Sequence, residues 1–309
     1  CAAITTEFEN IPADTLRTLA QYCPVRPSGD VLEKTQNRIR EKTFIHDSGL
    51  ATAPFRVIGS ATDIDAAFVE IGDPAILKRA AFGYDGKGQY VVHSAEEARQ
   101  AFEAMDGVPC VLEQRVNLAV EVSVMVARNA SGQVVTYPVA ENIHKNGILD
   151  TSIVPARIDD ALAQSARDAA VKLAEALGYC GIMGVEFFVT DGGELLVNEV
   201  APRPHNSGHY TIDACVTSQY EQQVRMVCDL PFGDTRLLSP VVMVNLLGDL
   251  WGDENPPWDE LFADPAAKLH LYGKCEARPG RKMGHFCCLA EDVGTAHAHA
   301  RGIMARLTR

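Results

Sequence analysis

The sequence predicts an α/β chain with α+β character, its strands running on as hairpins. Three observations carry this expectation. Short apolar runs alternate with helical stretches between residues 54 and 105. Residues 159–177 form a strongly amphipathic stretch stopped by Gly178, the pattern of a long helix. Two β-rich runs, 185–189 and 195–200, flank the turn Asp191-Gly192-Gly193-Glu194, the pattern of a hairpin.

The elements follow in order. Residues 4–10 read as a strand with Glu7 and Glu9 on one face, and 12–21 as a short helix. Ser28 caps a helix expected to run to Ser48, with Gly49 as its stop. It carries Lys34, Arg38, Arg40 and Lys42, which read as a solvated basic face. Strand 54–58, helix 63–71 and strand 74–80 follow, then the glycine-rich Gly83-Tyr84-Asp85-Gly86-Lys87-Gly88-Gln89 and strand 90–93. Ser94 and Glu97 form a capping box for a helix to Met105. Strands are expected at 108–116, 120–128, 133–141 and 151–156, with a loop at 142–150 that holds His144. Beyond the hairpin, 217–228 is helical and 241–247 a buried strand. Residues 251–262 are an acidic, proline-bearing excursion, and 268–272 and 285–289 are strands.

The 309 residues suggest about two domains. A net charge of −13 argues against nucleic acid or an anionic membrane as the main partner, but a local basic cleft can still bind a small anion. No apolar run reaches the length of a membrane span, and the N-terminus has no basic n-region. Nine cysteines without a CxxC pair read as reduced thiols of a cytoplasmic protein. The first residues look like a strand entering a domain already under way, so upstream sequence is expected.

Chemistry concentrates at the hairpin. With 191–194 as the loop, Thr190 faces Leu195, Phe188 faces Val197 and Glu186 faces Glu199. Like charges directly opposite are destabilising, and apolar flanks add a desolvation cost. Either both carboxylates reach solvent, or a divalent cation with hard oxygen ligands lies between them. The loop that follows carries Arg203, His205, Asn206, Ser207 and His209, the donors phosphoryl transfer requires beside a metal. Lys78 sits on an otherwise apolar strand face and wants an anion, unless it snorkels. Glycines in 83–88 let backbone N–H groups approach a ligand, although their spacing matches neither a P-loop nor a dinucleotide fingerprint. Lys274, Arg278, Arg281 and Lys282 crowd one loop, as an anion site or as solvated charge.

This order of parts resembles the ATP-grasp superfamily. Within it, GYDGKGQ, NEVAPRPHNSGH and the YGK and RPGRKMGH strings are similar to the N5-carboxyaminoimidazole ribonucleotide synthases of purine biosynthesis. Members of that family begin with a Rossmann-like segment that this chain lacks. The resemblance implies an ATP-grasp fold. Its expected divisions are the end of a pre-ATP-grasp domain (1–30), linker helices (31–74), a small lid domain (75–140), a large domain with the metal site (141–235) and a small β-rich C-terminal subdomain (236–309). It implies a homodimer, Mg²⁺ (or Mn²⁺) as cofactor, and ATP, bicarbonate and 5-aminoimidazole ribonucleotide as substrates.

The resemblance also implies residue roles. Glu186 and Glu199 hold the metal. Lys78 and the 83–89 loop take the phosphates, the loop acting as a lid over them with Lys87 in a catalytic role. Arg38, His144, Asn198 and Glu199 touch the nucleotide; Glu113, Gln114, Arg115 and Val116 line the adenine pocket by backbone groups, and Glu121 binds ribose. Arg203 neutralises bicarbonate and carboxyphosphate. Tyr84 and Asp85 face the amino-imidazole, Asp85 orienting or deprotonating the amine. Lys274 and Arg281 hold the ribonucleotide phosphate, and Glu7 borders that pocket. His205, Asn206 and Ser207 are substrate contacts or hydrogen bonds that stabilise their own loop. The rival readings are another ATP-grasp ligase, such as a biotin-carboxylase-like enzyme or a formate-using transformylase, and a non-catalytic nucleotide-binding subunit.

Overall fold

The computed structural model of the chain describes all residues except 82, 84–87, 253–254 and 309. It opens with α1 (Ala13–Leu19), α2 (Gly29–Thr35) and α3 (Arg38–Asp47). The expected strand 4–10 is reduced to one bridge, Ile4 to Val25. The single helix expected over 28–48 is two. Its first part starts where Ser28 accepts the Val31 N–H. It breaks at Gln36–Asn37, where the Asn37 carboxamide oxygen accepts the N–H groups of Ile39 and Arg40 and starts α3 afresh. The break sets Arg38 at a helix start and turns Glu41 and Lys42 inward, where both are buried.

Four antiparallel strands follow, β1 (Phe55–Ile58), β2 (Ala75–Arg79), β3 (Gln89–Val92) and β4 (Cys110–Gln114), ordered β1-β4-β2-β3. Helices α4 (Ile64–Ile71) and α5 (Ala95–Ala104) cover one face. Alternation along β2 sends Ala75 and Leu77 into that core and Ile76 and Lys78 toward the cavity on the other side.

The larger sheet contains β5 (Leu118–Arg128), β6 (Val134–Thr136), β7 (Ala140–Lys145), β8 (Ile148–Val154), β9 (Gly181–Thr190), β10 (Leu195–Ala201), β11 (Val241–Leu247), β12 (Ala267–Leu271) and β13 (Lys282–Leu289). Their order is β10-β9-β5-β7-β8-β11-β13-β12, with β6 on β5, so the C-terminal strands continue the same sheet. The expected loop 142–150 is instead the β7–β8 hairpin. Its Asn146-Gly147 turn takes φ of 53° and 76°, the left-handed pair that a tight hairpin needs. The C-terminal helix α9 (Val293–Leu307), capped by Asp292 and packed on β11 and β13, has no counterpart in the sequence reading.

Helix α6 (Asp160–Ala176) packs on Val122, Val124, Val185 and Phe187. The opposite face is divided along its length. At one end Met125 and Ala127 are covered by residues of α7 (Thr211–Ala214) and α8 (Gln219–Val227). At the other, Glu121, Glu186 and Glu199 line a cavity of about 950 Å³ that also takes in Ile76 and Lys78 of the smaller sheet. Among the described residues no helix is long and apolar enough to cross a membrane.

Candidate active site

Glu186 and Glu199 are cross-strand partners, as the hairpin pattern predicts, but by a different register. Near the turn the pairs are Leu195 with Val189, Leu196 with Phe188 and Val197 with Phe187, one residue out of step with the expected alignment. A bulge between Val197 and Glu199 inserts Asn198 and brings the two carboxylates opposite each other. Both are half-buried and line the cavity, as does Asn198. Burial, then the Glu199 charge, pushes Glu186 up to about 7. Burial acts on Glu199 in the same sense, but Arg38, Lys78 and Arg203 outweigh it and hold that carboxyl below its usual range.

Arg38 reaches Glu199 at 3.1 Å. Beside it, Glu41 Oε1 accepts the Val200 N–H at 2.7 Å. Burial and the Glu199 charge push Glu41 up to about 8. Lys78 has found its anion inside the protein: Glu113 Oε2 accepts from Lys78 Nζ at 2.8 Å. The other Glu113 oxygen lies 3.3 Å from Lys42 Nζ, an ion-pair contact without hydrogen-bond geometry. Lys42 also donates to Thr52 Oγ1 at 3.0 Å. Burial raises the Glu113 pKa, but the two lysines outweigh it and keep the carboxyl ionised. The Glu113 side chain thus acts inside the protein, and the N–H groups of Gln114 and Arg115 donate to the Pro54 and Pro74 carbonyls. Neither Gln114, Arg115 nor Val116 lines the cavity.

The loop after β10 folds back over β9. A Cβ on Gly184 would lie 2.7 Å from His205 Cβ, so glycine permits the contact. His205 Nε2 lies 3.2 Å from Glu186 Oε1. Burial and the nearby cations Arg203 and Lys282 lower His205 to about 3, so the imidazole is neutral. Arg203 lines the cavity and is ion-paired with Glu9. Glu9, not Glu7, is the N-terminal carboxylate at the site; Glu7 is exposed and outside the lining. Asn206 lines the cavity while its carboxamide pairs with that of Asn245, at 3.0 and 2.7 Å. Ser207 is fully buried and bonds to Ser123 and His205, which corrects its placement as a substrate contact. His209 is held by Gln219 and the Tyr220 hydroxyl, each at 3.0 Å.

Glu121 on β5 and His144 on β7 meet at 3.0 Å on the cavity wall, again as an ion-pair contact rather than a hydrogen bond. Burial lowers the His144 pKa, but Glu121 outweighs it and the imidazole titrates above its ordinary value. Gly83 and Gln89 line the cavity, and Gly88 O accepts from Arg79 N. Tyr84, Asp85, Gly86 and Lys87, and with them the expected lid, lie outside the described residues. In the basic loop, Lys274 Nζ donates to Lys282 O at 2.6 Å and Arg281 Nη1 to Glu276 O at 2.8 Å. Neither side chain lines the cavity, whereas Lys282 does.

The ATP-grasp domain profile matches residues 43–220. The profile of the phosphoribosylaminoimidazole carboxylase C-terminal domain matches 241–299. The N5-carboxyaminoimidazole ribonucleotide synthase of Bacillus subtilis strain 168 is 48% identical over 284 residues, covering 91% of this chain and 73% of its own length. The chain belongs to the ATP-grasp family of N5-carboxyaminoimidazole ribonucleotide synthases. The Brucella melitensis synthase is likewise 48% identical, with 91% of this chain and 77% of its own length covered. Among solved structures, the Staphylococcus aureus synthetase complexed with ADP superposes with a TM-score of 0.90 at 37% identity, covering 98% of this chain and 80% of that one. The Aspergillus clavatus synthase in complex with ADP and 5-aminoimidazole ribonucleotide gives 0.91 at 28% identity, covering 99% and 82%.

Within this synthase family's fold, sequence reasoning gives no site role to Glu9, Glu41 and Lys42, which lie at or beside the cavity, and names Lys282 only as one charge of the basic loop. Glu9 was visible as the alternation mate of Glu7. Glu41 and Lys42 carry no signal of burial in a helix taken as continuous over 28–48. The Asn146-Gly147 pair, a strong hairpin signal, would have moved His144 from a loop onto a strand.

Proposed function

We propose that this chain uses ATP and bicarbonate to carboxylate the exocyclic amine of 5-aminoimidazole ribonucleotide, releasing ADP and phosphate. The observation that carries the reading is the opposed pair Glu186 and Glu199, set in one cavity with Lys78, Arg38 and Arg203. Its volume of about 950 Å³ suits a nucleotide together with a second small substrate.

Two half-buried carboxylates facing each other, one with its pKa raised by burial and by the charge of the other, suit a divalent cation. Among the described residues no third His, Cys, Asp or Glu completes a cluster, so phosphate oxygens and water would fill the remaining positions, as Mg²⁺ prefers. When bound between Glu186 and Glu199, the cation would offset the charge on the transferring phosphoryl group.

The protein's own groups support the rest. Lys78, fixed by Glu113, and the 83–89 loop hold the phosphates. Arg38 shares Glu199 and presents charge to the same region. Glu121, beside His144, is available to ribose hydroxyls. A bicarbonate oxygen attacks the γ-phosphorus, the bond to the β–γ bridging oxygen breaks and ADP leaves. Arg203 neutralises the resulting carboxyphosphate. Its C–O bond to the bridging oxygen then breaks, giving CO₂ and phosphate; the amine nitrogen bonds the CO₂ carbon and its proton passes to Asp85. Lys274 and Arg281 are assigned to the ribonucleotide phosphate, with Lys282 nearer the reacting groups. A homodimer is part of the proposal by family resemblance.

ADP release measured with and without bicarbonate and the ribonucleotide tests this. Release that needs bicarbonate and rises with the ribonucleotide, alongside a ¹³C-carbamate signal from labelled bicarbonate, supports the reading. Release indifferent to bicarbonate refutes it.

A further inference from the structure

Glu186, Glu199 and Ser123 form one cross-strand row, Glu199 opposite Glu186 and Glu186 opposite Ser123 on β5. A buried hydrogen-bond chain closes over this row. Ser123 Oγ donates to Ser207 Oγ at 2.7 Å, and Ser207 Oγ lies 2.9 Å from His205 Nδ1. The far nitrogen of that imidazole, Nε2, lies 3.2 Å from Glu186 Oε1. Both serines are buried, at 2% and 0% exposure, so neither can meet a substrate.

We propose that Ser123 and Ser207 are positioning residues for Glu186, acting by fixing the tautomer of His205 so that its Nε2–H faces one carboxylate oxygen and leaves the other for the cavity.

The direction of the chain follows from its donors. The Ser207 backbone N–H points at His205 Nδ1 at 3.4 Å, so Nδ1 is the acceptor. Ser207 Oγ accepts from Ser123, so its own proton goes to the same nitrogen. Two donors aimed at Nδ1 leave the ring proton on Nε2, the nitrogen that lies 3.2 Å from Glu186 Oε1 as a charge contact without hydrogen-bond geometry. With the opposite tautomer, the Nε2 lone pair would face a carboxylate oxygen and Glu186 would turn away. The backbone of His205 is clamped independently: Gln219 Oε1 accepts its N–H and Gln219 Nε2 donates to its carbonyl, both at 2.8 Å. A Cβ on Gly208 would lie 2.6 Å from that Gln219 oxygen, so the clamp requires glycine there. The ring is thus held at its root and set by the serines at its edge, an arrangement akin to the partners that orient metal-binding side chains elsewhere.

The proposal rests on the reading of Glu186 as a metal-side carboxylate, and the test separates the two. Long-range ¹⁵N–¹H spectra of the whole chain report the His205 tautomer without reference to activity. The wild type should show a pyrrole-type Nε2 and a pyridine-type Nδ1. Ser207→Ala should shift both toward the averaged values of mixed tautomers, and Ser123→Ala should do so more weakly. Mn²⁺ binding followed by electron paramagnetic resonance should weaken about ten-fold in Ser207→Ala, the lower end for loss of such a partner. Ser207→Thr, which keeps the hydroxyl, should restore the wild-type spectrum. If Ser207→Ala does not fold, Ser123→Ala alone decides by the same two readings. A wild-type proton on Nδ1, or unchanged tautomer and Mn²⁺ affinity in the alanine variants, overturns the relay. Unchanged Mn²⁺ affinity in Glu186→Gln overturns the metal reading instead, and the imidazole spectrum then judges the relay by itself.

Discussion

Glu113→Gln tests how the phosphate lysine is held. The carboxylate is 2% exposed and lies between Lys78 at 2.8 Å and Lys42 at 3.3 Å. Removing its charge leaves two buried ammonium groups without the carboxylate they share. Breaking a buried pair in this way costs about 3–5 kcal/mol. Lys42→Met is milder: the Lys78–Glu113 bond survives and methionine recovers packing, so the losses are the Thr52 hydrogen bond, about 1 kcal/mol, and a Lys42–Glu113 contact whose charge Lys78 still supplies. At about 2–4 °C per kcal/mol, the melting temperature should fall at least 4 °C further in Glu113→Gln than in Lys42→Met, measured by scanning calorimetry. Without the Glu113 carboxylate, Lys78 also loses the bond that fixes its ammonium group in the cavity and grips phosphate less well. The KM for ATP should therefore rise about ten-fold in Glu113→Gln, the lower bound for losing a charge-assisted contact. Equal melting temperatures in the two variants, or an unchanged KM for ATP, would refute the account of Glu113 as the anchor of Lys78.

Other expectations follow from the same geometry. Glu186 titrates near 7 against an ordinary 4.5, so the stability its proton confers is full below 4.5 and is lost as pH rises through about 7. A cation that needs the ionised carboxylate displaces that proton, so the melting shift produced by Mg²⁺ should grow from pH 6 to 8; a flat profile would contradict the site. Lys274→Ala or Arg281→Ala should lower kcat/KM for the ribonucleotide roughly ten- to a hundred-fold and leave the KM for ATP unchanged; the reverse pattern would move the basic loop to the nucleotide site. Asp85→Asn should abolish carboxylated product while equilibrium dialysis still finds ATP bound; retained product formation would remove Asp85 from proton transfer.

Much of this arrangement was legible in the residues, and the misses have physical causes. The Glu186–Glu199 pairing was readable because two apolar runs flank a turn, yet the register near the turn was one residue off. The Asn198 bulge corrects that offset, and bulges leave little trace in a hydrophobic pattern. The split between α2 and α3 hid behind a continuous helical composition, although Asn37 is a strong cap. That split decides the burial of Glu41 and Lys42, which is why Lys42 reads from the sequence as part of a solvated basic face. Ser207 shows a different limit. Its residue type beside histidines suggests a substrate contact, and only the packing of the loop on β9 shows that it faces Ser123 instead.

The central claim is that bicarbonate is activated as carboxyphosphate in this cavity. The direct measurement uses ¹⁸O-labelled bicarbonate with ATP, Mg²⁺ and the ribonucleotide, followed by mass analysis of the released phosphate. Attack of a bicarbonate oxygen on the γ-phosphorus and later cleavage of the C–O bond carry that oxygen into the phosphate. One labelled oxygen per phosphate is the predicted result. Phosphate that takes its new oxygen from water instead would contradict the account.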